Sequence, residues 1–256
     1  MRQFYFLTCK KETRSLAAVN CQAASFILDG TSALDLILSG DRTLFAIVRL
    51  SLLVTLSATL LAAMVGMPLG AFVALNRFPG RDGAIVLLNG FMGLPPVVVG
   101  LMVFLMLSRS GPLGALGLLF TPTAMVIAQA VLIAPIIAAL TRQVIEDLWG
   151  EYRDEFMAMQ VAPVQRVQAL LWDARFSLVT ILLAGFGRAA AEVGAVMIVG
   201  GNIDGFTRVM TTTIALETSK GNLALAIGLG LLLIVIILGV NALAWSVRQW
   251  SERHAG

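Results

Sequence analysis

The chain has 256 residues, of which 58% are hydrophobic and 13% charged, and its formal net charge is +3. A soluble domain carries about twice this charged fraction, so the composition excludes a water-soluble globular protein and predicts an integral membrane protein. The small net charge does not indicate nucleic-acid binding, and a single histidine excludes a histidine-based metal centre and a Cys/His nucleophilic site within the sequence.

Residues 1–33 are predicted to form a poorly ordered N-terminal arm. This segment has a basic patch but lacks the apolar core of a signal peptide. Its two cysteines, Cys9 and Cys21, belong to no cluster of metal-ligating residues, so we expect no metal and no cofactor there. Residues 34–250 are predicted to form one membrane domain.

Five apolar runs are each long enough to cross a bilayer as a helix, which takes about 20 residues. No alternating pattern typical of barrel strands is present, and no internal repeat typical of secondary transporters. The prediction is an all-α polytopic protein with five spans at residues 44–75, 83–107, 120–140, 176–199 and 223–247.

Prolines lie within the first three runs. A proline inside a helix removes a backbone donor, and two adjacent prolines in mid-membrane break a span where protein or a cavity covers the freed carbonyls. We predict hinges at these positions, with close helix packing as the alternative for the prolines and for neighbouring glycines. The predicted hinge residues are Pro68, Pro95, Pro96 and Pro135.

Arginine and lysine residues near the spans predict the orientation, because cytoplasmic loops carry the excess of these residues. One side holds Arg77, Arg81, Arg142, Arg153, Arg166, Arg175, Arg248 and Arg253. The other side holds Arg42, Arg109, Arg208 and Lys220. The loop 141–175 and the C-terminus are therefore predicted to be cytoplasmic and the N-terminus external. Basic residues of the arm are too distant from the first span to carry much weight.

The loop Thr141–Arg175 is the one sizeable polar segment predicted on the inner side. It contains an acidic stretch at 146–155, then a short apolar helix at 156–163 with a proline stop, then a second helix at 165–172. Such a loop helix suits docking into a groove on a cytoplasmic partner. The alternative is a helix that lies on lipid headgroups, but the negatively charged inner leaflet would repel the acidic stretch.

Arg188 and Glu192 lie within the fourth apolar run, four residues apart. One helical turn would place them on the same face, where they can neutralise each other. Charges at membrane depth are costly and tend to mark a transport path or its gate. A purely structural ion pair that joins two helices is the alternative.

Backbone amides and hydroxyls at the outer end of this run are predicted to contact a small anion, because they donate hydrogen bonds without a full charge. The alternative for the threonines is capping of a short helix that begins near Thr211 and ends at Lys220-Gly221. The predicted path residues are Arg188, Glu192, Gly200, Gly201, Asn202, Thr211 and Thr212.

The inner loop resembles that of the permease subunit of type I ABC importers. In that family the loop reads Glu-Ala-Ala, three residues, then Gly. Glu155 matches the first position, Phe156 and Met157 stand at the alanines, and Val161 stands at the glycine. The Leu-Pro that usually follows is replaced by Asp173-Ala174.

Other segments resemble the tungstate-type permeases more specifically, from about residue 34 to residue 247. Molybdate and sulfate permeases share only parts of them, chiefly the Glu-x-Gly-Ala and Gly-Gly segment of the fourth span. The resemblance implies transport of a tetrahedral oxyanion, tungstate, with molybdate or sulfate as alternatives. The matching segments are Gly66–Ala71, Arg77–Arg81, Met92–Gly100, Ser108–Thr123, Ala124–Gln129, Gly185–Arg188, Glu192–Asn202 and Thr207–Gly221.

The resemblance also implies the partners. Such permeases work as homodimers in a bacterial inner membrane, with two cytoplasmic ATPase subunits and a periplasmic binding protein. The sequence contains no Gly-x-x-x-x-Gly-Lys-Ser/Thr motif, so we expect a non-enzymatic subunit whose ATPase is separate. An uncoupled channel or secondary carrier is the competing class. The implied ATPase contacts are Glu155, Phe156, Met157, Met159, Val161 and Ala162.

Overall fold

The computed structural model describes residues 42–254, which lack strands; the predicted arm at residues 1–33 lies outside that range. The all-α prediction is confirmed for the described part of the chain. Its helices are α1 Arg42–Leu75, α2 Arg81–Met92, α3 Pro96–Leu107, α4 Pro122–Ala158, α5 Pro163–Asp173, α6 Arg175–Ala190, α7 Gly194–Gly200, α8 Met210–Ser219 and α9 Leu223–His254.

Three of these helices, α1, α4 and α9, are each long and apolar enough to cross a membrane. Two bent pairs, α2 with α3 and α5 with α6, bring the number of candidate spans to as many as five. Large apolar side chains on the outer surface suit a bilayer: Val86, Met102 and Leu238 are at least 60% exposed. A polytopic helical membrane protein is therefore confirmed.

The second predicted span is sharply broken at its prolines. Helices α2 and α3 meet at an angle of 101°. Pro95 has an extended backbone conformation, and Pro96 is the first residue of α3, where a missing N–H costs no intrahelical hydrogen bond. The two prolines thus end one helix and begin the next, although movement at this break stays a prediction.

The prolines of the first and third spans lie inside unbroken helices. Pro68 is within α1 and Pro135 within α4. The glycines beside Pro68 serve close packing of α1 against α4: a side-chain carbon on Gly66 would meet Ile137 at 3.1 Å. Hinges at these two prolines stay a prediction, whereas close packing of the neighbouring glycine is observed.

The helix of the third predicted span, α4, extends well beyond its predicted end at residue 140. Helix α4 has 37 residues and continues through the acidic stretch to Ala158. The prediction of a separate apolar helix at 156–163 is therefore wrong, because Phe156 belongs to the last turn of α4 and Pro163 begins α5. No proline lies between residue 136 and residue 162, so nothing stops the helix earlier. The predicted second helix, 165–172, lies within α5.

The fourth predicted span, 176–199, is also two helices rather than one. Helix α6 ends at Ala190 and α7 begins at Gly194. Helix α7 packs directly on α3, since a side-chain carbon on Gly100 would lie 2.7 Å from the Cα of Ala195. The helices that follow the breaks in the second and fourth spans, α3 and α7, are therefore in close backbone contact.

Candidate functional site

The break in the fourth span carries the ion pair that the sequence predicts. Arg188 donates from a guanidinium nitrogen to Oε2 of Glu192 at 3.0 Å, and Oε1 of Glu192 accepts the N–H of Ala195 at 3.1 Å. The pairing is confirmed, but its geometric reason differs from the expected one. Glu192 lies beyond the end of α6, so its carboxylate caps the start of α7 while it binds Arg188.

Both charges are favoured by the helix ends beside them. Arg188 is in the last turn of α6, near the negative end of that helix dipole, and Glu192 precedes the positive end of α7. Their burial is unequal, since the side chain of Glu192 is 4% exposed and that of Arg188 is 39% exposed. The carboxylate is thus enclosed by protein, whereas more than a third of the Arg188 side chain is exposed.

Side chains from three other helices satisfy backbone groups around this break. Thr211 donates to the carbonyl oxygen of Glu192 at 2.9 Å, and Gln129 donates to that of Ala189 at 3.2 Å. Ser51 accepts the N–H of Met210, at the start of α8, at 2.7 Å. Irregular backbone at membrane depth requires such partners. The segment after α7 therefore folds back into the helix bundle.

Ser51 and Gln129 are functional candidates that the sequence prediction missed. They line a cavity of about 20 Å³ together with Thr211, a volume that can hold about one water molecule. Gln129 is 4% exposed, and its Oε1 has no hydrogen-bond partner among the described residues. The signal available in the sequence was a polar residue, Gln129, within an uncharged apolar run.

Gly200, Gly201 and Asn202 form a tight turn rather than an open row of donors. Gly201 and Asn202 have φ values of 69° and 50°, and the N–H of Gly201 donates to Met197 within α7. The hydroxyl of Thr207, which is fully buried, donates to the carbonyl oxygen of Gly200 at 2.6 Å. The amide of Gly201 is therefore occupied in this conformation.

The threonine run divides into two roles. Thr212 and Thr213 are buried, and both hydroxyls donate to the carbonyl oxygen of Val209. Only Thr211 of the three reaches the break. The capping alternative is supported for Thr212, although α8 begins at Met210, one residue before the predicted start, and ends before Lys220 as expected.

The turn between α4 and α5 contains one residue with a left-handed backbone. Gln160 has a left-handed φ of 49°, the conformation for which glycine is the usual residue. Val161, which stands at the motif's glycine in the sequence comparison, has no positive φ. Its place in the motif, and that of Glu155, stays a prediction.

The residues of this turn, 159–162, are hereafter called the coupling turn, after the ATPase contact that the sequence predicts for them. Met157 beside it and Met159 within it are 50% and 65% exposed. Phe156 is instead turned inwards, where its ring stacks on Trp149 at 6.2 Å. The carboxylates of Asp173 and Glu151 raise the pKa of the nearby Tyr152.

The chain is similar to known permeases over most of its length, although no family model matches it. A probable anion ABC transporter permease of Haloferax volcanii is 41% identical over 83% of this chain and 94% of the relative. A tungstate uptake system permease of Peptoclostridium acidaminophilum is 39% identical over 88% and 99%. A tungstate uptake system permease of Campylobacter jejuni is 34% identical over 88% and 94%.

Proposed function

Because the chain belongs to the ABC transporter permease family, we propose that it is the membrane-spanning subunit of an importer for tungstate, a tetrahedral oxyanion. Two of the relatives named above are tungstate uptake permeases and the third is an anion permease. Their alignments cover at least 94% of each relative and 83% of this chain, which supports the proposal over most of its length.

The observation that carries the transport role is the ion pair at the broken fourth span. Discontinuous helices at membrane depth commonly border transport sites. The exposed part of Arg188 attracts an anion, while Glu192, at 3.0 Å, offsets that attraction. A passing oxyanion then binds weakly enough to leave, as conduction requires.

Movement in the transport cycle comes from partner subunits. The sequence lacks a phosphate-binding loop, so a separate cytoplasmic ATPase dimer supplies the energy through the coupling turn. A periplasmic binding protein delivers the oxyanion to the outer side, and a second copy of the permease completes the path. ATP binding favours one of two arrangements of the spans, inward-open or outward-open.

Reconstitution in proteoliposomes tests this function. The permease with its ATPase and binding protein should accumulate tungstate only when ATP is present, and the permease alone should show no flux. Flux without the ATPase would instead identify an uncoupled channel or secondary carrier. Competition by molybdate and sulfate, measured with the complete complex, separates the three oxyanions.

A further inference from the structure

Glu146 on α4 joins three helices at the end of the bundle that carries the coupling turn. Its carboxylate oxygens form ion pairs with Arg142, one turn earlier on α4, and with Arg81, the first residue of α2. Arg81 also donates from Nε to the carbonyl oxygen of Val73, in the last turn of α1, at 3.0 Å. These three side chains and the Val73 carbonyl are called the Glu146 cluster.

Burial makes the contacts of this cluster stronger than those of ordinary surface ion pairs, which contribute little. The side chains of Arg142, Arg81 and Glu146 are 10%, 24% and 30% exposed. Two guanidinium groups share one carboxylate, so neither can be released without leaving a partly buried charge less well paired. The Val73 carbonyl lies at a helix end without an intrahelical partner, and Arg81 satisfies it.

On one side, the cluster is continuous with the coupling turn. Helix α4 is unbroken for twelve residues beyond Glu146, a length of about 18 Å. The guanidinium group of Arg166 on α5 lies 5.9 Å from the ring centre of Trp149, which itself stacks on Phe156. Movement of the coupling turn is thereby carried along a packed, helical unit to Glu146.

On the other side, the cluster leads to the broken fourth span. Arg81 begins α2, and α2 connects through the proline break to α3. Helix α3 is in backbone contact with α7 where Gly100 meets Ala195. The N–H of Ala195 is the group that Glu192 caps. A displacement of α2 therefore reaches the Arg188–Glu192 pair through the chain connection at Pro95 and the backbone contact between α3 and α7.

We propose that Glu146 is a positioning residue that transmits movement of the coupling turn to α2, and from α2 to the broken fourth span. This inference rests on the proposed function, because an ATPase must move the coupling turn. A purely static role would make the cluster a brace that affects stability and nothing else.

Arg81→Gln is the sharpest variant, because it cuts the link to α2 and leaves the Arg142–Glu146 pair within α4. In proteoliposomes with the ATPase and binding protein, it should hydrolyse ATP but lower tungstate uptake per ATP by about tenfold, the effect of one charge-assisted hydrogen bond. Arg81→Lys should restore most of that ratio. Arg77→Gln, which removes an exposed arginine four residues earlier, is the matched control and should behave as the wild type.

Two results would overturn the proposal. Arg81→Gln could retain the wild-type ratio of uptake to ATP hydrolysis, or its uptake and hydrolysis could fall together with its thermal stability, as a static brace would require. Uptake by the wild-type complex tests the proposed function separately, since every ratio is taken relative to it.

Spin labels in a permease without Cys9 and Cys21, but otherwise unchanged, give a second measurement that needs no cargo. Exposed positions Asn89 on α2 and Thr218 on α8 would carry the labels through Asn89→Cys and Thr218→Cys. ATP binding by the ATPase should change the distance between them, and adding Arg81→Lys should keep most of the change. An ATP-independent distance in the permease that retains Arg81 would also overturn the proposal.

Discussion

Gly66 on α1 lies so close to Ala134 on α4 that a side-chain carbon on Gly66 would stand 2.8 Å from the Ala134 carbonyl oxygen. Four residues later, Gly70 makes the same kind of approach to Ala138. Glycines with this spacing let two membrane helices pack with their backbones in contact. Helices α1 and α4 therefore pack with their backbones in contact.

Adding one methyl group at this contact should destabilise the permease. Gly66→Ala forces α1 away from α4, and overpacking of this kind costs about 1–3 kcal/mol. Gly90→Ala is the matched control, because a side-chain carbon there meets no atom within 4 Å and alanine favours a helix by about 1 kcal/mol over glycine. Thermal unfolding in detergent should show a lower midpoint for the first variant and an unchanged or higher one for the second. Equal midpoints would contradict the packing role.

The Arg188–Glu192 pair should respond unequally to the loss of each partner. Arg188→Gln leaves the carboxylate of Glu192 unpaired at 4% exposure, whereas Glu192→Gln leaves a guanidinium group that is 39% exposed. The first variant should therefore lower thermal stability more, because burial of an unpaired charge costs several kcal/mol.

A double-mutant cycle on stability and on uptake then separates the two roles of this pair. The double variant should recover stability in either case. Uptake should stay low if the charges serve the path or gate, and it should return if the pair is only structural. Additive single effects on both measurements would show that the two side chains do not interact.

The left-handed backbone of Gln160 predicts opposite effects of glycine at neighbouring positions. Gln160→Gly should raise stability by about 1 kcal/mol, because glycine adopts the left-handed φ without steric cost. Val161→Gly should lower stability, since it only adds freedom to the unfolded chain and removes a partly buried side chain. Unfolding midpoints of the two variants are the measurement, and the reverse order would contradict the left-handed conformation of Gln160.

Glu155→Lys should uncouple transport from ATP hydrolysis while the permease remains inserted and folded. Glu155 is exposed beside the coupling turn, so reversal of its charge affects an ATPase contact without disturbing the core. Asp154→Lys changes the neighbouring exposed carboxylate and should have the smaller effect if Glu155 is the motif's glutamate. Uptake and binding-protein-stimulated ATP hydrolysis are the measurements. Normal uptake by both variants would remove the coupling assignment.

The orientation of the chain is testable with single cysteines. In a background without Cys9 and Cys21, Ser108→Cys should react with an impermeant thiol reagent applied from the periplasmic side. Gln165→Cys should react only after cell lysis. Labelling in the opposite pattern would invert the topology and place the coupling turn on the wrong side for an ATPase.

The sequence alone determines the solvent and the helical class of this protein. Apolar runs of about 20 residues require helices in a bilayer, and this predicts the long apolar helices α1, α4 and α9 and the proline break at Pro95 and Pro96. The motifs of the fourth span and the outer segment also identify the family correctly. These features are local, because hydropathy and backbone restriction act within a few residues.

Only the tertiary structure reveals the break at Glu192 and the position of Glu146. No proline marks the break at Glu192, and backbone groups there are satisfied by Gln129 and Thr211 from other helices. Likewise, Glu146 pairs with Arg81, a residue 65 positions away. An irregular turn at membrane depth is stable only when distant groups supply its hydrogen bonds, because the apolar surroundings provide no water to do so. The position of Glu146 depends on how α2 packs beside α4, which no local pattern of residues predicts.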